Sequence, residues 1–337
     1  MLNLDVERQV MSVTGALELR PRIEAVVDQF CQVGYDAVFI MGIGGTWASG
    51  LQTQAHVKAR SAIPFDVEHA SEYLTTGNRR ITDRSIVLFS SVTGTTEEMV
   101  QASRKVKQTG ARILGFIDLE HTALEEFCDY CISYPKNEQL KFFMTADRFL
   151  YQAGDFPEYD TYYEEMEAHL PQALAEVEKA ADEWAQEFAA DKYRYCLENP
   201  HMPHYFIGSG TQWGATYSYA MCYWEEQLWL RTKSISAAEF FHGTLEIIDA
   251  QTPVVLYIGE DAQRPLAERV ARFLPKVCRN YTVIDSKNYE LKGIREEYRG
   301  SVSHLILRAV NNRIDAHMER EFCHPMGIRR YYRQFDY

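Results

Sequence analysis

The stretch AVFIMGIGGTWASG, residues 37–50, joins an apolar run to a glycine-rich turn and then to a helical pattern. The run at 37–42 is continuously apolar, which is typical of a parallel strand buried between two layers of helices. A helix is predicted from about Thr46 to Lys58. This stretch therefore predicts the first strand–helix unit of an α/β fold.

The pattern occurs twice in the chain. The motif Gly-x-Gly-x-x-Trp at residues 42–47 returns at residues 208–213, each time after a predicted strand and before a predicted helix. A second apolar strand follows in each half, at 85–90 and at 252–259. The repetition predicts two tandem doubly wound α/β domains, each with a parallel sheet covered by helices, plus a C-terminal tail.

Alternating strand and helix patterns give the domain boundaries. The first domain is predicted at 20–155 and the second at 193–320, and the tail is predicted at 321–337. Residues 156–192 are acidic with a helical pattern and are predicted to form a connector. Further strands are predicted at 64–70, 111–117, 128–135, 204–210 and 279–285, and a helix at 213–230.

Composition excludes several classes of protein. The 337 residues carry a net charge of −13, which argues against nucleic acid or an anionic membrane surface as the main partner. The sequence has no apolar run of about 18 residues and no signal-peptide pattern at its start, so a cytoplasmic protein is expected. A small anionic substrate stays compatible with the acidic charge, because a few local amides can hold one phosphate.

Seven cysteines are scattered along the chain, and one pair, Cys128 and Cys131, has CxxC spacing. The segment around this pair has a strand pattern, in which residues three apart face opposite sides. Buried thiols are therefore expected here, in a reducing compartment, and no metal site is predicted.

A dinucleotide site is the first alternative for the glycine turn. Glu68 lies about where a ribose-binding carboxylate would follow a Gly-x-Gly turn. However, Trp47 occupies the position of the third glycine, and Trp213 does so in the repeat. An indole there prevents the close approach of helix and strand that the third glycine permits, so the sequence favours another ligand.

The stretch SSVTGTTEE, residues 90–98, places five hydroxyl side chains and a glycine between a buried strand and a helix. Turn chemistry with a helix cap explains such a stretch in many proteins. The alternative is an anion cradle, because a helix start carries unpaired N–H groups and a partial positive charge, and hydroxyls donate to phosphate oxygens. A phosphate site is therefore one interpretation of this turn.

Two residues of the second half have the chemistry of proton transfer. Glu226 falls late in the helix predicted at 213–230, and His242 precedes a glycine in Glu-Phe-Phe-His-Gly. A carboxylate and an imidazole brought together can move a proton between carbons next to a carbonyl. Spacing alone does not pair them, and a single histidine here is also compatible with a structural role.

The two hydroxyl-rich turns resemble those of the sugar isomerase (SIS) family of phosphosugar-binding domains. The family has Gly-(Thr/Gly)-Ser in its first loop and Ser-x-Ser-Gly-x-Thr in its second. The matching positions, implied to hold the phosphate and the sugar, are Gly44, Gly45, Thr46, Ser91, Thr93, Gly94 and Thr96. Thr46 and Thr93 replace serines but keep the hydroxyl, whereas Val92 stands where a polar residue is usual.

Nearly the whole chain resembles the fructosamine-6-phosphate deglycases of this family. In related isomerase domains a glutamate lies sixteen residues before a His-Gly-Pro motif, and Glu226 and His242 keep that spacing. The resemblance implies that these two are the catalytic residues. The ending resembles the family's His-Pro…Arg-Arg-Tyr tail, which implies site contacts from His324, Arg329 and Arg330; a surface ion pair is the alternative role for the two arginines.

This sequence departs from the deglycase pattern in two places near the implied catalytic residues. Thr244 replaces the proline after His242 and Gly243. The segment Arg-Thr-Lys-Ser-Ile-Ser, residues 231–236, replaces a histidine-containing segment. Arg231 or Lys233 could select an acidic group, and a solvated basic pair near a helix end is the other interpretation.

The resemblance implies cleavage of a 6-phosphorylated Amadori compound to hexose 6-phosphate and an amino acid, with no metal or organic cofactor. In relatives the histidine comes from the neighbouring subunit, which implies a homodimer or a larger homo-oligomer with shared active sites. A phosphosugar isomerase or deaminase would use the same two residues. A non-catalytic phosphosugar sensor would keep the loops without needing them.

Overall fold

A computed structural model describes residues 2–133 and 137–335. The chain divides into two compact units, a first unit of residues 8–171 and a second unit of residues 2–7 and 172–335. The helices are α1 (Val6–Leu17), α2 (Arg20–Val33), α3 (Gly45–Lys58), α4 (Ala70–Thr76), α5 (Glu97–Gln108), α6 (Glu138–Gln152), α7 (Tyr159–Glu198), α8 (Thr211–Ser218), α9 (Arg264–Phe273) and α10 (Glu296–Glu321). The strands are β1 (Ala37–Gly42), β2 (Phe65–His69), β3 (Ser85–Ser91), β4 (Arg112–Ile117), β5 (Tyr130–Ile132), β6 (His204–Gly208), β7 (Thr232–Ser236), β8 (Val254–Ile258) and β9 (Tyr281–Asp285).

The first unit is built on a parallel sheet with strand order β2-β1-β3-β4-β5 among the residues described. Every residue of β1 and β3 is buried, because helices cover both faces of the sheet. On one face Phe39, Val87 and Phe89 pack against α4 and α5. On the other face α3 packs on β1 and β2, and α6 packs on α2 and α3.

The second unit repeats this arrangement with a parallel sheet of strand order β7-β6-β8-β9. Ile207, Leu256 and Ile258 form a core with α9. Tyr257 donates a hydrogen bond to Asn311 of α10 at 2.8 Å, and α8 packs against α10. Two parallel sheets covered by helices confirm the predicted fold class.

In both sheets the strand order reverses beside the first strand of the unit. The chain runs from β1 outward to β2 and then returns to β3 on the other side of β1; it likewise runs from β6 to β7 and returns to β8. The reversal opens a crevice at the carboxyl ends of the two central strands, which is the usual ligand site of this fold. The repeated glycine turns follow β1 and β6 and therefore lie at these crevices.

Three local predictions differ from the structure. No strand was expected over β7. The helix predicted at 213–230 ends at Ser218 and continues as a π-helix over Tyr219–Glu225.

The third difference concerns the cysteine pair. Cys128 precedes β5, so it does not face away from Cys131. A hydrogen bond from the Cys128 thiol lowers the pKa of Cys131 to about 7. The end of the strand predicted at 128–135 lies outside the described residues, as do the last two residues of the tail.

The predicted connector, 156–192, lies almost entirely within α7. This helix is 40 residues long and includes Pro171, where the first unit ends. The predicted domain boundaries therefore remain predictions.

Candidate functional site

The first turn of interest connects β1 to α3 at the crevice of the first unit. Gly44 precedes the helix with φ 56° and ψ −121°, a backbone conformation that favours glycine. A Cβ on Gly42 would lie 2.7 Å from the Trp47 backbone nitrogen. The glycines therefore let the helix start directly over the end of the strand, although Trp47 stands where a third glycine would in a dinucleotide site.

The second turn follows β3, the neighbour of β1, and is held by its own hydroxyls. Ser91 Oγ accepts a hydrogen bond from the Gly94 N–H at 2.9 Å, and Thr93 Oγ1 accepts one from Thr95 Oγ1 at 3.0 Å. Gly94 has φ 62°, and a Cβ there would lie 2.1 Å from Thr122 Oγ1. The loop is thus shaped by close packing as well as by hydrogen bonds. Thr96 then leads into α5 in an extended conformation.

Neither helix start in this crevice is capped by a side chain of the described residues. The starts of α3 and α5 therefore keep N–H groups and a partial positive charge at the carboxyl ends of adjacent strands. Such a place binds phosphate or another anion readily. The seven residues predicted to hold phosphate and sugar lie in these two turns, which follow the carboxyl ends of adjacent strands.

One predicted hydroxyl is already engaged. Thr46 Oγ1 donates a hydrogen bond to Glu138 Oε2, at the start of α6, at 2.8 Å. Because the Thr46 hydroxyl proton is already used, the hydroxyl oxygen can only accept a hydrogen bond from a ligand. It can donate to a ligand only if Glu138 moves away or the ligand displaces Glu138. Nothing in the sequence near Thr46 signals this contact, because the partner lies 92 residues away.

The equivalent turn of the second unit is closed by a carboxylate of the same unit. Asp261 Oδ2 accepts hydrogen bonds from the Thr211 N–H at 2.8 Å and from Thr211 Oγ1 at 2.7 Å, at the start of α8. The Gly210 N–H donates to Gln263 Oε1 at 3.2 Å. Asp261 thus occupies the place that an anion would take. The two repeats have diverged, and the described turns of the first unit are the ones left open.

Glu226 follows the π-helix that interrupts the predicted helix. The Glu226 N–H donates to the carbonyl of Met221, five residues earlier, at 3.0 Å. Within this segment Tyr219 donates to Asp315 Oδ1 at 2.7 Å. Burial raises the pKa of Asp315 to about 6. Wide turns of this kind often occur at functional sites, where they turn a side chain out of the regular helical face.

Glu226 lines a pocket of about 740 Å³ together with residues of the tail. Its side chain is 33% exposed. Arg329 Nε donates to Glu226 Oε1 at 2.6 Å, and Arg329 Nη1 donates to the carbonyl of Met326 at 2.6 Å. The guanidinium is therefore anchored in the tail while it holds the carboxylate.

The remaining predicted tail residues pack on Trp229. The His324 ring meets the indole edge to face at 4.3 Å, and the Arg330 guanidinium lies 4.3 Å from the indole centroid. Trp229 itself has φ 58°, which turns the chain out of the preceding helical segment. The tail is thus docked beside Glu226 by two aromatic contacts and one ion pair.

His242 does not share the pocket of Glu226 within the second unit. The pocket is lined by residues that flank the amino ends of β6 and β7, such as Pro203 and Thr232. His242 lies in a short 3₁₀-helix, Phe240–His242, after the carboxyl end of β7, and it is exposed. The five residues of β7 alone span roughly 13 Å. The two implied catalytic residues therefore lie at opposite ends of one strand.

Residues 35–149, within the first unit, match the SIS domain. The chain contains a SIS domain. Among curated proteins, the chain is 28% identical over 307 residues to fructosamine deglycase FrlB of Bacillus subtilis strain 168, covering 90% of this chain and 93% of that protein. It is 21% identical over 271 residues to fructoselysine 6-phosphate deglycase of Escherichia coli K12, covering 79% of this chain and 77% of that protein.

Solved structures share the fold of this chain over most of its length. A crystal structure of a candidate phosphosugar isomerase from Bacillus subtilis superposes with a TM-score of 0.82 at 24% identity, covering 94% of this chain and all of that chain. A second candidate, from Salmonella typhimurium, superposes with a TM-score of 0.86 at 22% identity, covering 94% and 97%. At these identities the likeness establishes the fold alone. The two curated relatives are both deglycases.

Within residues 2–133 and 137–335, no group of three or more His, Cys, Asp or Glu side chains is arranged to hold a metal. No helix in that part of the chain is long and apolar enough to span a membrane. Sequence reasoning missed three carboxylate contacts: Glu138 with Thr46, Asp261 with Thr211, and the pairing of Glu226 with Arg329.

Proposed function

We propose that this chain is a deglycase that cleaves a 6-phosphorylated fructosamine of an amino acid into hexose 6-phosphate and the free amino acid. The observation that carries the proposal is that one chain combines an open anion cradle with a part-exposed carboxylate in a pocket. Its similarity to curated deglycases over most of its length supports the same activity.

The turns of the SIS domain would bind the 6-phosphate. The starts of α3 and α5 offer backbone N–H groups without a fixed cation. The hydroxyls of Ser91, Thr93 and Thr96 would orient the phosphate and the sugar. Glu138 would accept a hydrogen bond from a sugar hydroxyl when the Thr46 hydroxyl turns to the ligand. Binding the end of the substrate far from the reaction positions its reactive carbons.

Glu226 would carry the proton between carbons 1 and 2. It takes a proton from C1, which bears the amine, while the electron pair moves toward C2 and the C2 carbonyl oxygen gains a proton. It then returns that proton to C2, and the amine nitrogen loses a proton that balances the one gained by the C2 oxygen, so that C2 becomes an alcohol carbon and C1 becomes an imine. The step is an internal exchange of oxidation level between C1 and C2, with no outside oxidant or reductant.

Hydrolysis of the imine would complete the reaction. Water adds to C1, the C1–N bond breaks, and the leaving amine takes a proton. His242 would assist ring opening at the start and donate the proton to the amine at the end. Glucose 6-phosphate and an amino acid are the products, and the substrate's own amine supplies the imine.

His242 would act in the Glu226 pocket of a second copy of the chain. Within one chain the two residues lie at opposite ends of β7, and His242 is exposed. An exposed imidazole after the strand can enter a neighbouring subunit, as the resemblance to related isomerase domains implies. The smallest active unit would therefore be a homodimer with shared sites, acting on a small phosphosugar and not on nucleic acid or a membrane.

The test is a substrate panel for the purified protein. The panel contains 6-phosphorylated adducts of the fructose-lysine, glucose-lysine, fructose-asparagine and fructose-aspartate types, beside plain fructose 6-phosphate and glucosamine 6-phosphate. Released hexose 6-phosphate is followed with a coupled dehydrogenase. We expect release from one or more of the adducts. Turnover of the plain sugars alone would assign an isomerase or deaminase, and no turnover at all would favour a sensor.

A further inference from the structure

Arg231 lies beside the Glu226 pocket, in a segment where the chain departs from the deglycase pattern. It directly precedes β7 and lines the same pocket as Glu226. Its carbonyl accepts a hydrogen bond from the N–H of His204, the first residue of β6, at 2.9 Å. The backbone of Arg231 is therefore fixed by the sheet, and its long side chain is the part that can adapt to a ligand.

The other charged groups of this pocket have partners. Glu226 is held by Arg329, and Glu225 accepts a hydrogen bond from Thr232. Arg330 lies over the Trp229 indole. The exposed guanidinium of Arg231 has no hydrogen bond or ion pair with any residue that the structure describes. Arg231 thus offers an exposed guanidinium, with hydrogen-bond donors that no described residue engages, in the same pocket as Glu226.

The position of Glu226 indicates which part of the substrate this charge would meet. In the proposed reaction Glu226 works at C1 and C2, whereas the phosphate is bonded to C6 at the other end of the hexose. The group bonded to C1 is the leaving amine, so the pocket beside Glu226 is where that amine's substituent would lie. A guanidinium recognises a carboxylate through two parallel hydrogen bonds.

We propose that Arg231 binds the carboxylate of the leaving amino acid and so determines the specificity of the enzyme for amino-acid adducts over simple amine adducts. The proposal rests on the deglycase function above. Arg231 acts on the part of the substrate that does not react, so its effect should depend on whether the adduct carries a carboxylate.

Lys233, within β7, provides a matched control. It is also basic and exposed and lies two residues further along the chain, but it does not line the pocket. Its Nζ lies 5.8 Å from the centroid of the Tyr205 ring. Of the two basic residues singled out in the sequence, the structure places only Arg231 beside Glu226.

The experiment compares two adducts of fructose 6-phosphate, one with glycine and one with methylamine, which differ by a single carboxylate. We expect Arg231→Gln to lower kcat/KM for the glycine adduct by about 10- to 100-fold, the size of one lost charge-assisted interaction. The methylamine adduct should be turned over by this variant as by the wild type. Arg231→Lys should keep part of the preference, and Lys233→Gln should change neither adduct.

The effects of Arg231→Gln on the two adducts test the inference separately from the proposed function. If Arg231→Gln lowers kcat/KM equally for both adducts, or for neither, Arg231 does not read the carboxylate and the inference is wrong, while the deglycase function stands. If the wild type releases hexose 6-phosphate from neither these two adducts nor the amino-acid panel, the proposed function fails and this inference fails with it. Circular dichroism of the three variants checks that they fold.

Discussion

Glu226→Gln is expected to lower kcat by at least about 1,000-fold, within the range that removal of a general base produces. The amide has the shape of the carboxylate but cannot take the proton from C1. Its oxygen can still accept the hydrogen bond that Arg329 Nε now gives to Glu226. Binding of hexose 6-phosphate, measured by calorimetry, should therefore change little while turnover is lost.

Glu225→Gln is the control for this substitution. Glu225 is the neighbouring carboxylate, lines the same pocket and accepts a hydrogen bond from Thr232. Its replacement removes the same charge from the same region without touching the proposed proton carrier. Comparable turnover by Glu226→Gln and Glu225→Gln would show that the reaction does not pass through Glu226.

Gly94→Ala is expected to lower kcat/KM by about 100-fold or more, because several charge-assisted contacts to the phosphate depend on the shape of this loop. A Cβ at Gly94 would lie 2.1 Å from Thr122 Oγ1, and φ is 62°. The loop must therefore move away from its present path, and Ser91 Oγ loses its partner. The lower kcat/KM should come mainly from a higher KM, and inorganic phosphate should inhibit the variant more weakly than it inhibits the wild type.

Gly154→Ala separates the effect on the site from general backbone strain. Gly154 belongs to the same unit and has φ 81°, but a Cβ there would meet nothing within 4 Å. Both variants carry alanine in a left-handed conformation, at a cost of about 1–2 kcal/mol. If Gly94→Ala retained the KM of Gly154→Ala, the turn after β3 would not be the phosphate site.

The strands that build the two crevices were predictable because they are continuously apolar. The predicted ranges 37–42, 85–90 and 111–117 agree with β1, β3 and β4 to within one residue. Helices cover both faces of such strands, so nearly all of their side chains are apolar and the pattern stands out from the turns. By contrast, β7, with the sequence TKSIS, is mostly polar and only Ile235 is fully buried, so its sequence has no such signal.

The contacts that define the candidate site were less accessible to sequence reasoning. The turns at 44–46 and 91–96 were found because glycines and hydroxyls after a strand have a physical meaning in themselves. The partners of these residues come from distant parts of the chain: Arg329 lies 103 residues from Glu226, and Asp261 lies 50 residues from Thr211. No local pattern encodes such pairs, because they depend on how helices and loops pack in three dimensions.

In the proposed function, the two repeats have different chemical roles. In the second unit Asp261 closes the turn after β6, and the functional candidates lie instead directly after the π-helix, in the tail and in the loop after β7. An internal carboxylate on a helix start satisfies the same N–H groups that a bound phosphate would. The proposal thus assigns phosphate binding to one copy of a duplicated fold and proton transfer to the other.

In the proposed function, Glu226 and His242 form one acid–base pair across a subunit boundary. The most direct test is to co-express Glu226→Gln and His242→Asn chains with different affinity tags and to purify the mixed dimers. Each parent dimer should be inactive, and the mixed dimer should have about half of the wild-type activity, because a twofold-symmetric dimer then contains one intact site of two. Mixed dimers as inactive as their parents would contradict the claim.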